Sequence, residues 1–86
     1  MASLRQKVIG VLRDEWGDVV DGLQTVPGSR RVMGVVISRK FNRRNHQRRQ
    51  QLLWTTLGKR LSKTDLDRLG PIAALTPADA ELASSD

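Results

Sequence analysis

At 86 residues the chain has room for one domain with a modest core and none for a deep catalytic cavity. Without cysteine it has no disulfide, no thiolate nucleophile and no Cys-ligated metal, and its longest aliphatic run, Val35-Val36-Ile37, falls far short of the roughly 20 residues a membrane-spanning helix needs. The net charge of +6 conceals a division: no Asp or Glu lies between Gly22 and Thr64, where Arg30, Arg31, Arg39, Lys40, Arg43, Arg44, Arg48, Arg49, Lys59, Arg60 and Lys63 all fall, while the flanks set four cations against nine carboxylates. Segregation on that scale makes a field of one sign that steers polyanions to one face.

Ser3 with Gln6 three residues later is a capping box, and Leu4, Val8, Val11 or Leu12, and Glu15 or Trp16 recur behind it at helical spacing, so the first helix is expected over about residues 3–16. Gly17-Asp18 ends it. Val19, Val20, Leu23 and Val26 read as a weak strand that reaches Pro27-Gly28, the chemistry of a type II turn: Pro presets φ at the first central position and Gly supplies positive φ at the second. The return arm, Arg31 to Ser38, is β-branched and apolar on both faces and is expected to be the best-buried strand, with Gly34 marking a bulge or close packing.

Phe41 closes that strand, and Asn42 or Asn45 caps a second helix expected to run to about Leu61. Its stripe of His46, Gln50, Leu53, Trp54, Leu57 and Leu61 faces inward, leaving Arg44, Arg48 and Lys59 to point away. Ser62 and Thr64 are alternative caps for a short third helix ending at Gly70-Pro71. Ile72 to Leu75 is a short strand that Pro71 confines to a strand start or a sheet edge. Thr76-Pro77-Ala78-Asp79 starts a last short helix: Thr caps, Pro takes the first helical position and Asp sits near the positive dipole end. Residues 84–86 are expected to fray, which bounds the domain at 1–83. The N-terminal residues lack the apolar stretch of a signal peptide, and a cytoplasmic location is expected.

The order helix, hairpin, long basic helix, short helix, short strand resembles the BolA family, whose fold is of the type II KH-like kind. Val35-Val36-Ile37-Ser38-Arg39-Lys40-Phe41 is similar to the family's Val-Val-x-Ser-x-x-Phe segment. Arg49 takes the place of the Arg that stands eight residues after that Phe, with Leu53, Leu57 and Leu61 at the following intervals of four, and Thr76-Pro77 before Asp79 and Glu81 resembles its Thr-Pro-x-Glu ending. The resemblance implies an α+β domain in αββααβ order, a three-stranded sheet with helices on one face, and a short C-terminal helix. Val35, Ile37, Leu53 and Leu57 are expected in the shared core.

The resemblance also implies a regulatory, nucleic-acid-binding role of the transcription and stress-response kind, or docking onto a monothiol glutaredoxin. This chain departs from the family at the residues of iron–sulfur chemistry. The family's Arg-His pair is here Arg49-Gln50. Its third-strand His falls at Ala73 or near Arg68, depending on the segment aligned, and the loop Pro27-Gly28-Ser29-Arg30 has neither His nor Cys. The Gly that many members carry two residues after the Phe is Arg43. No cofactor is expected.

The candidate site is the basic segment: Arg39, Lys40, Arg43, Arg44, Arg48 and Arg49, with Lys59 further along the helix. Arginine suits phosphates because its planar guanidinium donates two parallel hydrogen bonds, and cations near nucleic acid gain from counterion release. The alternatives are a solvated cationic face, or a docking surface for an acidic protein. The single His46 reads as a half-buried structural residue or a phosphate contact rather than a metal ligand, because neither Cys nor a second His accompanies it. Trp16 and Trp54 read as core-edge residues. Neither a nucleophile elbow nor a phosphate loop is present, and the carboxylate pairs sit where helix ends explain them, so an enzyme is not expected.

Overall fold

The computed structural model describes residues 3–84, folded as a small α+β domain in the order αββααβα. Ser3 caps helix α1 (Leu4–Trp16) through the full capping box: its hydroxyl accepts from the Gln6 amide and the Gln6 side chain accepts from the Ser3 amide. β1 (Val20–Thr25) runs into the expected turn, where the Ser29 amide donates to the Val26 carbonyl at 3.1 Å and Gly28 takes φ 78°. β2 (Val32–Ile37) returns antiparallel to β1, and β3 (Leu69–Leu75) pairs parallel with its other edge. The sheet order is therefore β1-β2-β3, with β2 central. Helices α2 (His46–Arg60) and α3 (Lys63–Asp67) form the crossover, and α4 (Pro77–Ser84) follows β3.

The core lies between one sheet face and helices α1 and α2. Val8 and Leu12 of α1 and Leu53 and Leu57 of α2 are sealed against Leu23, Val32, Val36, Ile72 and Ala74. Phe41 is wholly buried and meets Trp16 edge-on with ring centroids 5.2 Å apart, which fixes the end of α1 to the end of β2. Trp16 and Trp54 are core-edge, as expected.

Three expectations are corrected. On β2 it is Val32 and Val36 that face the helices, whereas Val35 and Ile37 point to the other face and are only half-buried. With apolar residues on both sides, the strand's own pattern does not choose a face; the pairing of Leu23 with Gly34 does, because it sets β2 against the buried side of β1. Consequently β2 is central but covered on one side only, and Met33 is 36% exposed. Between β2 and α2 the chain inserts a 3₁₀ turn, Arg39–Phe41, whose Lys40 amide donates to the buried Ser38 hydroxyl, and Asn45, one of the two expected caps, caps α2.

The third correction is at the third helix. Capped by Ser62 as one of the two candidates, it stops at Asp67, and Gly70-Pro71 lies inside β3. The register slips between the Val32–Leu69 and Gly34–Ile72 pairs, which leaves an extra residue at this point of an edge strand. An edge and a bulge are the places where a residue without an N–H is tolerated. Helix α4 is assigned as far as Ser84, and residues 85–86 of the expected frayed end lie outside the described residues.

Gly34 has φ 134°, and a Cβ there would run into the Gly22 carbonyl and the Leu23 Cα, so the two hairpin strands approach each other through the space a side chain would fill. Two outcomes test the packing. Leu57→Ala is expected to lower unfolding free energy by about 2–5 kcal/mol in urea titration, the transfer and cavity penalty of a sealed leucine. Gly34→Ala is expected to cost more than the roughly 1–3 kcal/mol of a strained backbone alone, because the new methyl also displaces a carbonyl of the neighbouring strand.

Candidate nucleic-acid interface

The basic residues gather at one end of the sheet and on the solvent face of α2. Ile37 at the end of β2 is flanked by Val20 and Leu75, and the chain turns there through residues 38–45 into α2. This turn is braced by its own arginines. The Arg44 Nε donates to the Lys40 carbonyl at 3.0 Å, and the Arg49 Nε donates to the Arg44 carbonyl at 2.8 Å. Asn45 Oδ1 caps α2 by accepting from the Arg48 amide at 2.9 Å.

Arg43 sits in this turn at φ 62°, the one non-glycine residue with positive φ among those described. A side chain in left-handed backbone costs about 1–2 kcal/mol, which glycine avoids. Here the geometry is that of a glycine position and the residue is an exposed arginine.

The seven candidate cations divide by what holds them. Arg49 is the most committed: one Nη donates to the Asp79 carboxylate at 2.7 Å and to the Ala74 carbonyl at 3.3 Å, and its side chain is only 20% exposed. Arg39 pairs with Asp18 at 3.2 Å, with both side chains largely in water, a contact worth little. Lys40, Arg43, Arg44, Arg48 and Lys59 are exposed and have no carboxylate within salt-bridge distance among the described residues. Arg44 and Arg48, with Gln51, Leu52 and Thr55, line a shallow depression of about 350 Å³. Lys59 continues the same face about 16 Å from Arg48 at the helical rise of 1.5 Å per residue. Arg44 precedes the helix it was expected to lie on, and Gln51 and Thr55, which bear no charge to flag them, share the face.

His46 is exposed at the first position of α2, which corrects the half-buried alternative, and it borders a second shallow concavity with Gln50, Trp54 and Pro71. Gln50 ties α2 to the backbone of β3, since its side-chain amide donates to the Ile72 carbonyl at 2.9 Å while its oxygen accepts from Trp54 Nε1. Among the described residues there is no group of three or more His, Asp or Glu placed to hold a metal ion, and no helix is long and apolar enough to cross a membrane.

Asp79 is the acidic residue that this end of the molecule depends on. The Thr76 backbone amide, then the Arg49 guanidinium, then the Thr76 hydroxyl hold its carboxyl below the usual aspartate range. A carboxyl whose pKa is lower in the folded state contributes stability that is fully present above its unfolded pKa and is lost as pH falls toward the folded value. Thermal melts are therefore expected to lose stability in acid below the ordinary aspartate range, with Asp79→Ala showing a shallower loss there. Arg43→Gly is expected to raise stability by about 1 kcal/mol, by relieving the left-handed backbone.

Comparison with protein-family models, with curated proteins and with solved structures gives no match to this chain.

Proposed function

We propose that the chain is a BolA-like, non-enzymatic regulatory module of the cytoplasm that contacts nucleic acid through the phosphate backbone, using Lys40, Arg43, Arg44, Arg48 and Lys59. The observation that carries this reading is the acid-free, unpaired state of that surface: the turn and the exposed side of α2 present these cations with no carboxylate partner among the described residues, while Arg39, Arg49 and Arg60 of the same basic block are paired with flanking acids. A block that served only to balance the protein's own carboxylates would be expected to pair more fully. Arg43 adds a second argument. The turn keeps the backbone that suits glycine yet holds a guanidinium outward, and strain retained at an exposed cation is more readily understood if the cation has a partner.

The BolA-like part of the reading is supported by the αββααβ core with its antiparallel β1–β2 and parallel β2–β3 pairs, and by positive φ at the residue where the family carries Gly. Readout on this surface is of the backbone kind. Arginine forks and two lysines fix register on phosphates, and no aromatic side chain stands among them to stack bases.

A second reading, a protein adaptor for a monothiol glutaredoxin or another acidic partner, is favoured by one feature: the outward sheet face is apolar, with Val20 53% exposed beside Met33, Val35, Ile37 and Leu75. Salt separates the two. If cations engage duplex phosphates, log affinity is expected to fall with log salt by about 0.9 per phosphate neutralised, and Arg44→Ala with Arg48→Ala to flatten that slope by about two units. The melting temperature of the double variant checks that losing the Arg44–Lys40 hydrogen bond has not unfolded the turn. Binding unaltered by the double variant at every salt concentration would remove nucleic acid as the partner of this surface.

A further inference from the structure

We propose that the concavity at the hairpin end of the sheet, remote from the basic turn, is a binding site for a phosphate group. Three separate elements build it: Lys7 on α1, Thr25 and Arg30 of the β1–β2 hairpin, and Asp65 with Arg68 before β3. The Val32 amide donates to the Arg68 carbonyl at 3.1 Å, which stitches the hairpin to the start of β3 and sets the positions of the two arginines. The space is about 350 Å³, toward the small end of ligand sites, enough for a phosphate group and part of what carries it.

The charge of the lining selects the ligand. Lys7 lies 3.7 Å from Asp65, whose side chain is only 18% exposed, so these two answer each other. That leaves the guanidiniums of Arg30 and Arg68 lining one cavity without a carboxylate partner among the described residues, and Arg68 is half-buried. Two guanidiniums held on one concavity repel each other unless an anion lies between them. A monoanionic carboxylate satisfies one fork; a phosphate dianion offers oxygens to both. Ser29 is not available to it, because its hydroxyl already donates to the Val26 carbonyl and accepts from the Arg31 amide. The Thr25 hydroxyl completes the donors, the Lys7 ammonium being answered by Asp65.

The site is independent of the reading for α2, since Val32 and Ile37 stand at opposite ends of β2, about 17 Å apart at the rise of a strand. The experiment is an amide-resolved NMR titration of the full chain with inorganic phosphate, against sodium chloride at matched ionic strength. Saturable shifts are expected at Ser29, Arg30, Val32 and Arg68 with phosphate and not with chloride. Arg30→Ala is expected to weaken binding about tenfold, the loss of a charged hydrogen-bonded fork, and Arg68→Lys, which keeps charge but not the fork, to weaken it less. The Arg44→Ala, Arg48→Ala variant is expected to leave it unchanged. Shifts shared equally by chloride, no saturation, undiminished binding in Arg30→Ala, or loss in the Arg44/Arg48 variant would each overturn the proposal. A 5′-phosphorylated trinucleotide compared with its unphosphorylated form then separates the sources. Tighter binding of the phosphorylated form than of inorganic phosphate assigns the site to nucleic-acid ends, and equal or weaker binding assigns it to a free phosphate or small phosphomonoester.

Discussion

Arg49 reaches three parts of the chain at once. Its guanidinium ties the Arg44 carbonyl before α2, the Ala74 carbonyl at the end of β3 and the Asp79 carboxylate in the first turn of α4. Together these contacts set the start of α2 against the end of the sheet. The turn that displays Arg43 and Arg44 is held between that anchor and the buried Phe41, so its geometry is imposed from both sides. Breaking such a network by removing one partner costs more than any single contact in it, because the others are left unpaired.

The same end of the molecule carries an electrostatic cost. Helix α2 has no acidic residue in its first turn and carries Arg48 and Arg49 near its start, cations placed where the helix dipole is positive. Favourable charge lies at its other end, where Arg60 is held by Asp14 and Glu15, with Asp14 the stronger influence in pushing the guanidinium further toward its charged form. An anion arriving at the N-terminal end would offset both the dipole and the mutual repulsion of the arginines. Binding there and stability of α2 are thus linked, with ligand favouring the folded helix.

What local chemistry determines was legible in the sequence. Ser3 with Gln6, Pro27-Gly28, and Thr76-Pro77 with Asp79 each satisfy backbone donors within four residues, and each stands where its pattern indicated. The inward face of β2 was not legible, because Val32 to Ile37 is apolar on both sides and the choice rests on pairing with β1. Nor was the early start of β3, where the bulge admits Pro71. At the candidate site the charges themselves could be read, but not their division into paired and unpaired. Asp79 is 30 residues from Arg49 and Asp14 is 46 from Arg60, so only the fold brings them together.

The parallel pairing of β2 with β3 has a consequence for how the chain reaches this structure. The β1–β2 hairpin closes over a short turn, but pairing of β3 requires residues 38–68, which carry two helices, to cross the sheet. Until then the free edge of β2 and its apolar outward side, Met33, Val35 and Ile37, are open to other chains. Non-local pairing of this kind is slow, and unpaired strand edges are where partly folded molecules associate. The surplus of positive charge then acts before any ligand is met: like-charged folding intermediates repel one another, and they do so less as salt rises. Refolding yield, and not only binding, should therefore carry the ionic signature of the central block.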